Sequence, residues 1–260
     1  MRFINMSYST SNLIDTHAHI YMCKESTETL ATESITNGIQ STINVGIDLI
    51  PSQQVIKDHA KFPSLKPTVG IHPCSTPDIS HEDLFKLESL ALLPSVVAIG
   101  ETGLDYYWEP YDRDKQEFFF RYQLSLAEKL NLPVIVHNRR ADDDIIRIAN
   151  QFPEVKKVFH CFSCGPSVYD KLDHKNHFFS FTGNITYSTK GKTIQALKKI
   201  PIQKIMIETD APYLTPKAFS GQKNRPIYVK EVMKKIALVK GLDETEVSEQ
   251  TTANALSFFN

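Results

Sequence analysis

The 260-residue sequence has few cysteines, no long apolar run and no surplus of charge of either sign, and each scarcity removes a class of protein. Its four cysteines, Cys23, Cys74, Cys161 and Cys164, are too few and too scattered for a disulfide framework, so a reduced, cytoplasmic setting is expected. Cys161 and Cys164 form a C-x-x-C, but no second pair completes a zinc knuckle and no thioredoxin-like context surrounds it, so the pair reads as structural. No apolar stretch approaches the roughly 18–20 residues of a membrane span. Lys and Arg number 29 against 30 Asp and Glu, a net charge of −1, so no global basic field advertises nucleic acid or membrane. A local phosphate site remains open on that balance. The N-terminal MRFINMSYSTSN lacks the apolar core of a secretory signal, and one Arg is too little for a transit peptide. Residues 1–11 are expected to be a disordered leader and residues 12–260 one domain, with no repeat, low-complexity tract or linker in between.

Hydrophobic residues make up 41%, which at this length supports one sizeable core. They gather in eight stretches: Leu13 to His19, Ser41 to Gly46, Thr68 to Pro73, Val96 to Gly103, Val134 to Arg139, Val158 to Ser163, Phe179 to Asn184 and Ile205 to Asp210. Helical patterns separate them. The clearest runs from Asp112, a plausible N-cap, to Leu130, with Phe119, Tyr122, Leu126 and Leu130 on one face as core packing. Others are read over Glu28 to Asn37, Ser80 to Leu92, Pro226 to Lys240 and Asp243 to Phe258, the last opening with a capping-box spacing between Asp243 and Glu246. Eight strands alternating with helices predict an α/β fold, a single (β/α)8 TIM-type barrel, whose chemistry belongs at the C-terminal ends of the strands.

The strand ends carry that chemistry. His17-Ala18-His19 places two imidazoles at positions i and i+2 of a strand, on one face, where both reach one ion. Alone, H-x-H is a weak signal, and a lone His137 or His160 reads as readily as a hydrogen-bonded structural residue. Glu101 alone is equally ambiguous. Imidazoles and carboxylates at five ends of one rim, with Asp210 on the last strand, instead indicate a hydrolytic site for metal ions. Two metals need about this many ligands, with one carboxylate between them. Arg139 follows His137 by two and offers a fork for phosphate, although a surface salt bridge is the alternative. His72 is a candidate substrate contact. Asp105, Tyr106 and Tyr107 are read as a loop over the rim where an aromatic, with Tyr106 the candidate substrate contact, stacks on a base while at least one tyrosine packs in the loop. Glu208 either holds a ligand imidazole in place or packs in a salt bridge.

The segments IDTHAH, VGIHP, AIGETGLDYY, VIVHNR, HCFS, FSFTGNITY, IETDAPYL and Asn224-Arg225-Pro226 together resemble the TatD family of metal-dependent deoxyribonucleases, among the amidohydrolase-like barrels. The resemblance runs from about Leu13 to the C-terminus, and GETGLDY with ETDAPYL is its most specific part. It implies that His17 and His19 bind one metal, that Glu101 bridges to a second completed by His137 and His160, and that Asp210 ligates a metal and contacts the attacking water. The chain departs from the pattern at Cys164, inserted before Gly165, and at Cys74 after His-Pro, which bears on the substrate loops rather than on the ligands.

The expected function is hydrolysis of DNA phosphodiester bonds, from the 3′ end of single strands, with two divalent ions (magnesium, manganese or zinc). The residues themselves imply only metal-assisted hydrolysis. An ester or amide hydrolase, such as a D-aminoacyl-tRNA deacylase, would use the same metal-bound hydroxide. A non-catalytic binding protein is the rival from another class; the intact ligand set argues against it.

Overall fold

A computed structural model describes residues 12–172 and 175–260; the expected leader over residues 1–11 lies outside them. Eight strands, β1 (Leu13–Ala18), β2 (Ile39–Val45), β3 (Leu65–Val69), β4 (Ala98–Asp105), β5 (Val134–Arg139), β6 (Lys157–Phe159), β7 (His177–Phe181) and β8 (Ile205–Ile207), pair in parallel and in sequence order. The helices between and after them are α1 (Thr27–Thr36), α2 (Leu49–Lys61), α3 (His81–Ala91), α4 (Arg113–Leu130), α5 (Asp142–Ala149), α6 (Pro166–Lys171), α7 (Lys192–Lys199), α8 (Val229–Lys240) and α9 (Glu244–Phe259). This is the (β/α)8 barrel.

Alternation along the strands separates two apolar layers. Val134 and Val136 of β5 join the large outer cluster shared with the helices, whereas Ile135 turns inward. Ile43, Ala98, Ile135, Val158 and Met206, from five strands, form an inner plug with Phe258 of α9. Two residues beyond three of these plug positions stand His137, His160 and Glu208. The same strand face therefore supplies first a dry floor and then the chemistry above it.

Several strands end earlier than the apolar stretches suggest. β3 stops at Val69, β6 at Phe159 and β8 at Ile207. His72, His160, Glu208 and Asp210 consequently sit on the turns that leave the sheet, not within it. Glu208 and Asp210 do not share a strand face, because Asp210 has a positive φ of 57° that turns it toward β1. α4 begins after Asp112, whose carboxylate accepts the Lys115 amide at 2.9 Å. Asp243 caps α9 by accepting the Thr245 amide at 2.7 Å, rather than through a reciprocal bond to Glu246. A capping box occurs instead at α3, where the Ser80 amide donates to the Asp83 carboxylate at 3.0 Å.

α4 also fastens the rim. Its Gln123 accepts the Ile71 amide at 2.8 Å and donates to the Ile71 carbonyl at 3.0 Å, copying a strand's hydrogen bonds beyond the end of β3. Seven residues earlier, on the same helix face, Gln116 does the same for the amide and carbonyl of Asp105 (2.9 and 3.0 Å).

The ring closes between β1 and the segment after β8. Thr16 Oγ1 donates to the Ile207 carbonyl at 3.0 Å, the Asp210 amide to the His17 carbonyl at 2.9 Å, and the His19 amide to the Ala211 carbonyl at 2.8 Å. Beneath them the wholly buried Asp15 carboxyl accepts the Thr209 amide at 2.8 Å and the Thr209 hydroxyl at 2.6 Å. Burial pushes Asp15 up to about 8 despite those bonds. Thr209→Val keeps the shape but leaves Asp15 one donor short, and should lower stability by about 1–3 kcal/mol in urea unfolding. A loss within error would mean that the backbone bonds alone hold the seam.

Candidate metal centre

Glu101 occupies the barrel axis because β4 breaks the two-residue period. Ala98 faces inward and Ile99 outward, yet Thr102 again faces outward, toward Gln123 of α4. One residue is gained between Ile99 and Thr102, where the pairing with β5 shifts register. Two glycines permit this. Gly100 and Gly103 both have φ of +144°, and a Cβ on Gly103 would lie 2.0 Å from the His137 carbonyl oxygen. The GETG sequence is thus a bulge that turns a carboxylate inward.

Around that carboxylate, itself 3% exposed, the imidazoles converge. His137 Nδ1 and His160 Nε2 each lie 2.8 Å from Glu101 Oε1; His17 Nε2 and His19 Nε2 lie 3.4 and 3.7 Å from Oε2. Asp210 Oδ1 completes the cluster, 3.5 Å from His19 Nε2 and 3.8 Å from His17 Nε2. The rings of His17 and His160 stack with centroids 4.1 Å apart.

The partner of each second nitrogen decides what the first one offers. His19 Nδ1 faces the Val45 carbonyl at 3.0 Å, which only accepts, so Nδ1 carries the proton and Nε2 presents a lone pair. His137 Nε2 faces the Asp105 carboxylate at 3.1 Å, with the same consequence for the nitrogen turned toward Glu101, and His160 Nδ1 lies 3.4 Å from Glu208 Oε1. His17 Nδ1 is buried with no hydrogen-bond partner among the described residues. His72 is different. Its Nδ1 accepts the Cys74 amide at 3.1 Å, so the proton sits on Nε2, which points at Glu101 Oε1 from 3.5 Å as a donor.

Ring nitrogens of four imidazoles thus turn toward two carboxylates, with His17 and His19 Nε2 only 3.3 Å apart, and on losing their protons they offer lone pairs to a cation. Divalent cations fit such a donor set. His17, His19 and Asp210 form one possible ligand group, His17, Glu101 and His160 a second, and His72, Glu101 and His137 a third. Burial alone would raise the Glu101 carboxyl, but His160, His72, His17 and His137 outweigh it and hold the group well below its ordinary range. Burial likewise opposes a charge on His160, yet Glu101 and Glu208 raise it well above the ordinary value. Burial prevails instead at His17 and His72 and lowers both, whereas the neighbouring carboxylates raise His19 and His137.

The cluster opens into a cavity of about 670 Å³, lined also by His72, Cys74, Trp108, Asn138, Arg139 and Tyr213. Two turns that shape it have left-handed backbones, at Cys161 (φ 45°) and Asp210 (φ 57°), a conformation costing about 1–2 kcal/mol for a side-chain-bearing residue. Cys161 is held there by its amide, which donates to Glu208 Oε1 at 2.7 Å, while Ser180 Oγ fixes Oε2 of the same carboxylate at 2.5 Å.

With the barrel and its donors described, comparison with known proteins becomes informative. The family model for "TatD related DNase" matches residues 14–260. The chain belongs to the TatD family. Among its TatD-family relatives is the "Uncharacterized metal-dependent hydrolase YabD" of Bacillus subtilis, 34% identical over 251 residues, covering 95% of this chain and 98% of that protein. The "3'-5' ssDNA/RNA exonuclease TatD" of Erwinia tasmaniensis is 32% identical over 231 residues, covering 86% and 89%. The crystal structure of YjjV, a TatD homologue from Escherichia coli, superposes with a TM-score of 0.91 at 26% identity, covering 96% of this chain and 99% of that one. A metal-dependent hydrolase of the TatD family is therefore what the sequence encodes.

The structure of this TatD-family chain brings His17, His19, Glu101, His137, His160 and Asp210 together, sets Glu208 beneath His160, and puts Arg139 and His72 on the same cavity. It does not bring Tyr106 there. The Tyr106 hydroxyl donates to Asp144 at 3.0 Å and its ring stacks on Tyr111, because Asp105 ends β4 instead of opening a loop, which turns the next residue outward. Tyr107 instead lies under the Arg139 guanidinium, 3.7 Å from its centroid, and Trp108 faces the cavity. Arg139 has no carboxylate partner among the described residues, so the salt-bridge alternative finds no support. Sequence reading missed two residues, Trp108 and the positioning role of Asp105. The even spacing of Asp105 from Glu101 on one strand was the available signal for the second. The C-x-x-C sulfurs serve different neighbours: Cys161 Sγ lies 3.6 Å from Thr182 Oγ1, and Cys164 Sγ donates to Asp142 at 3.3 Å.

Because raised imidazole pKa values mean bound protons, loading the site should release them. Manganese binding followed by calorimetry near pH 7 should show heats that vary with the buffer's ionisation enthalpy, and affinity should fall as pH is lowered. Buffer-independent heats would mean that the imidazoles are already neutral.

Proposed function

We propose that the chain hydrolyses phosphodiester bonds of DNA, removing nucleotides from the 3′ end of single strands with two divalent ions, magnesium, manganese or zinc. The observation that carries this reading is the convergence of imidazole nitrogens on Glu101 and Asp210 in a cavity that also holds Arg139, which has no ion-pair partner among the described residues. His17, His19 and Asp210 would hold one ion and His137 and His160 the other, with Glu101 between them; nitrogen and oxygen donors suit all three metals. Bound ions would supply an acidified water and offset charge on the phosphoryl oxygens. The description of the family model and the name of the Erwinia relative support a nucleic-acid substrate.

The residues then divide the work. Burial would raise the Asp210 carboxyl, but His19, His17 and His160 outweigh it, so Asp210 stays ionised and accepts the attacking water's proton. Glu208 and Asp105 keep His160 and His137 turned toward Glu101. Arg139, supported on the face of Tyr107, forks onto the non-bridging phosphate oxygens. His72 donates toward Glu101 and borders the same space.

On 5′-labelled single-stranded DNA, wild type should give a ladder of shortened labelled products with magnesium or manganese and none with chelator. Asp210→Asn should lose activity about 100-fold or more, with unchanged far-ultraviolet circular dichroism. Silence from metal-loaded wild type would overturn the nuclease reading in favour of an ester or amide substrate such as D-aminoacyl-tRNA. Arg139→Ala should raise KM more than it lowers kcat; an unchanged KM would remove Arg139 from phosphate binding.

A further inference from the structure

The metal cavity does not end at its own wall. A second cavity of about 540 Å³ adjoins it, lined by Asn184, Tyr187, Leu214, Thr215, Gly221 and Gln222, and the two share Asn184 and Leu214. Its walls come from segment 183–192, after β7, and segment 211–223, after β8. These segments are bound to each other. A Cβ on Gly183 would lie 2.3 Å from the Leu214 carbonyl oxygen, so only glycine admits this approach. The Lys217 amide donates to Thr186 Oγ1 at 2.8 Å, and the Tyr187 hydroxyl to the Thr215 carbonyl at 3.0 Å. The space is preformed, and Tyr187, 52% exposed, has its hydroxyl tied down and its ring open to solvent.

Charge is distributed very unevenly around the mouth. Segments 183–192 and 211–223 carry Lys190, Lys192, Lys217 and Lys223 and no acidic residue. All four lysines are exposed, and none has an ion-pair partner among the described residues. Segments 105–114 and 139–144 carry seven acidic residues, Asp105, Glu109, Asp112, Asp114 and Asp142 to Asp144, against three arginines, with Asp105 buried against His137 and Asp144 ion-paired to Arg113 and Arg147. A polyanion emerging from the metal cavity meets positive charge without neutralising partners on the lysine-bearing wall.

Resting on the phosphodiesterase reading above, we propose that the second cavity is a binding subsite for the part of a polynucleotide that remains after cleavage. The base next to the cleaved bond stacks on Tyr187, and the following phosphates pass along Lys217 and Lys223. A stacking face and a cationic track are what a single strand needs for binding without regard to sequence. A small ester or amide would have no use for either.

The test compares metal-loaded wild type with Tyr187→Ala, Tyr187→Phe and the double variant Lys217→Ala/Lys223→Ala on a series from dinucleotide to hexanucleotide DNA. The ratio of variant to wild-type KM should grow with length for Tyr187→Ala and for the lysine pair, reaching about 10-fold for the tyrosine. Tyr187→Phe, which keeps the ring, should restore wild-type behaviour. The lysine pair should also flatten the log–log salt dependence on the hexanucleotide by about 1.4, since each single-strand phosphate contact contributes about 0.7. Reading each variant against its own dinucleotide removes any difference in folding. Ratios flat with length and an unchanged salt slope, with wild type still shortening the series, would overturn the subsite and leave the nuclease reading standing. No hydrolysis of any length by wild type would overturn both.

Discussion

A carboxylate buried at the mouth of a barrel is untenable alone, and the architecture above the apolar plug is built around neutralising Glu101. Withdrawing such a group from water costs several kcal/mol unless positive charge or donors compensate it. Here the compensation comes from five imidazoles on four strands or strand ends, and most of those rings are themselves fixed from behind by a carbonyl or a carboxylate. Asp105 and Glu208 are therefore as much a part of the centre as the groups facing it. The bulge in β4 that delivers Glu101 and the turns that deliver His160 and Asp210 are local departures from regular structure, placed where regular structure would aim the side chains elsewhere.

Sequence periodicity exposed the parts of this design that keep a strand's two-residue rhythm. Ile135 and His137, and Val158 and His160, show it directly: an apolar inward residue followed two places later by a donor. Eight such stretches divided by helices were enough to predict the barrel. The rhythm is lost at Gly100 and Glu101, so a regular two-residue period misplaces what immediately follows, and Tyr106, the expected substrate aromatic, turns outward to Asp144. Asp105 was read as loop for the same reason. α5, α6 and α7, of 8, 6 and 8 residues, are too short to present a clear helical period and went unread. The role of His72 depends on which ring nitrogen bears the proton, and that is set by the Cys74 amide, a contact no spacing reveals.

The two halves of the rim have different tasks. β1, β4, β5 and the first residues after β6 and β8 contribute the buried, tightly partnered donors, whereas segments 183–192 and 211–223 shape the open side of the cavity with lysine as their charged residue. The second half lies on loops, which vary most readily between relatives, and it is there that a shared metal-dependent chemistry is matched to a particular substrate.

Gln116 and Gln123 give the centre an unusual dependence. They belong to α4, outside the barrel and without contact to the cluster, yet their amides hold the backbone at Ile71 and Asp105, one residue from His72 and at the support of His137. Helix docking and donor alignment are thus one equilibrium seen from two sides. By reciprocity, any ligand that draws the donors together must also tighten α4 against the barrel, and any loosening of the helix must weaken that ligand by the same factor. Resistance of the α4 amides to hydrogen exchange becomes, in this protein, a gauge of a centre they never touch.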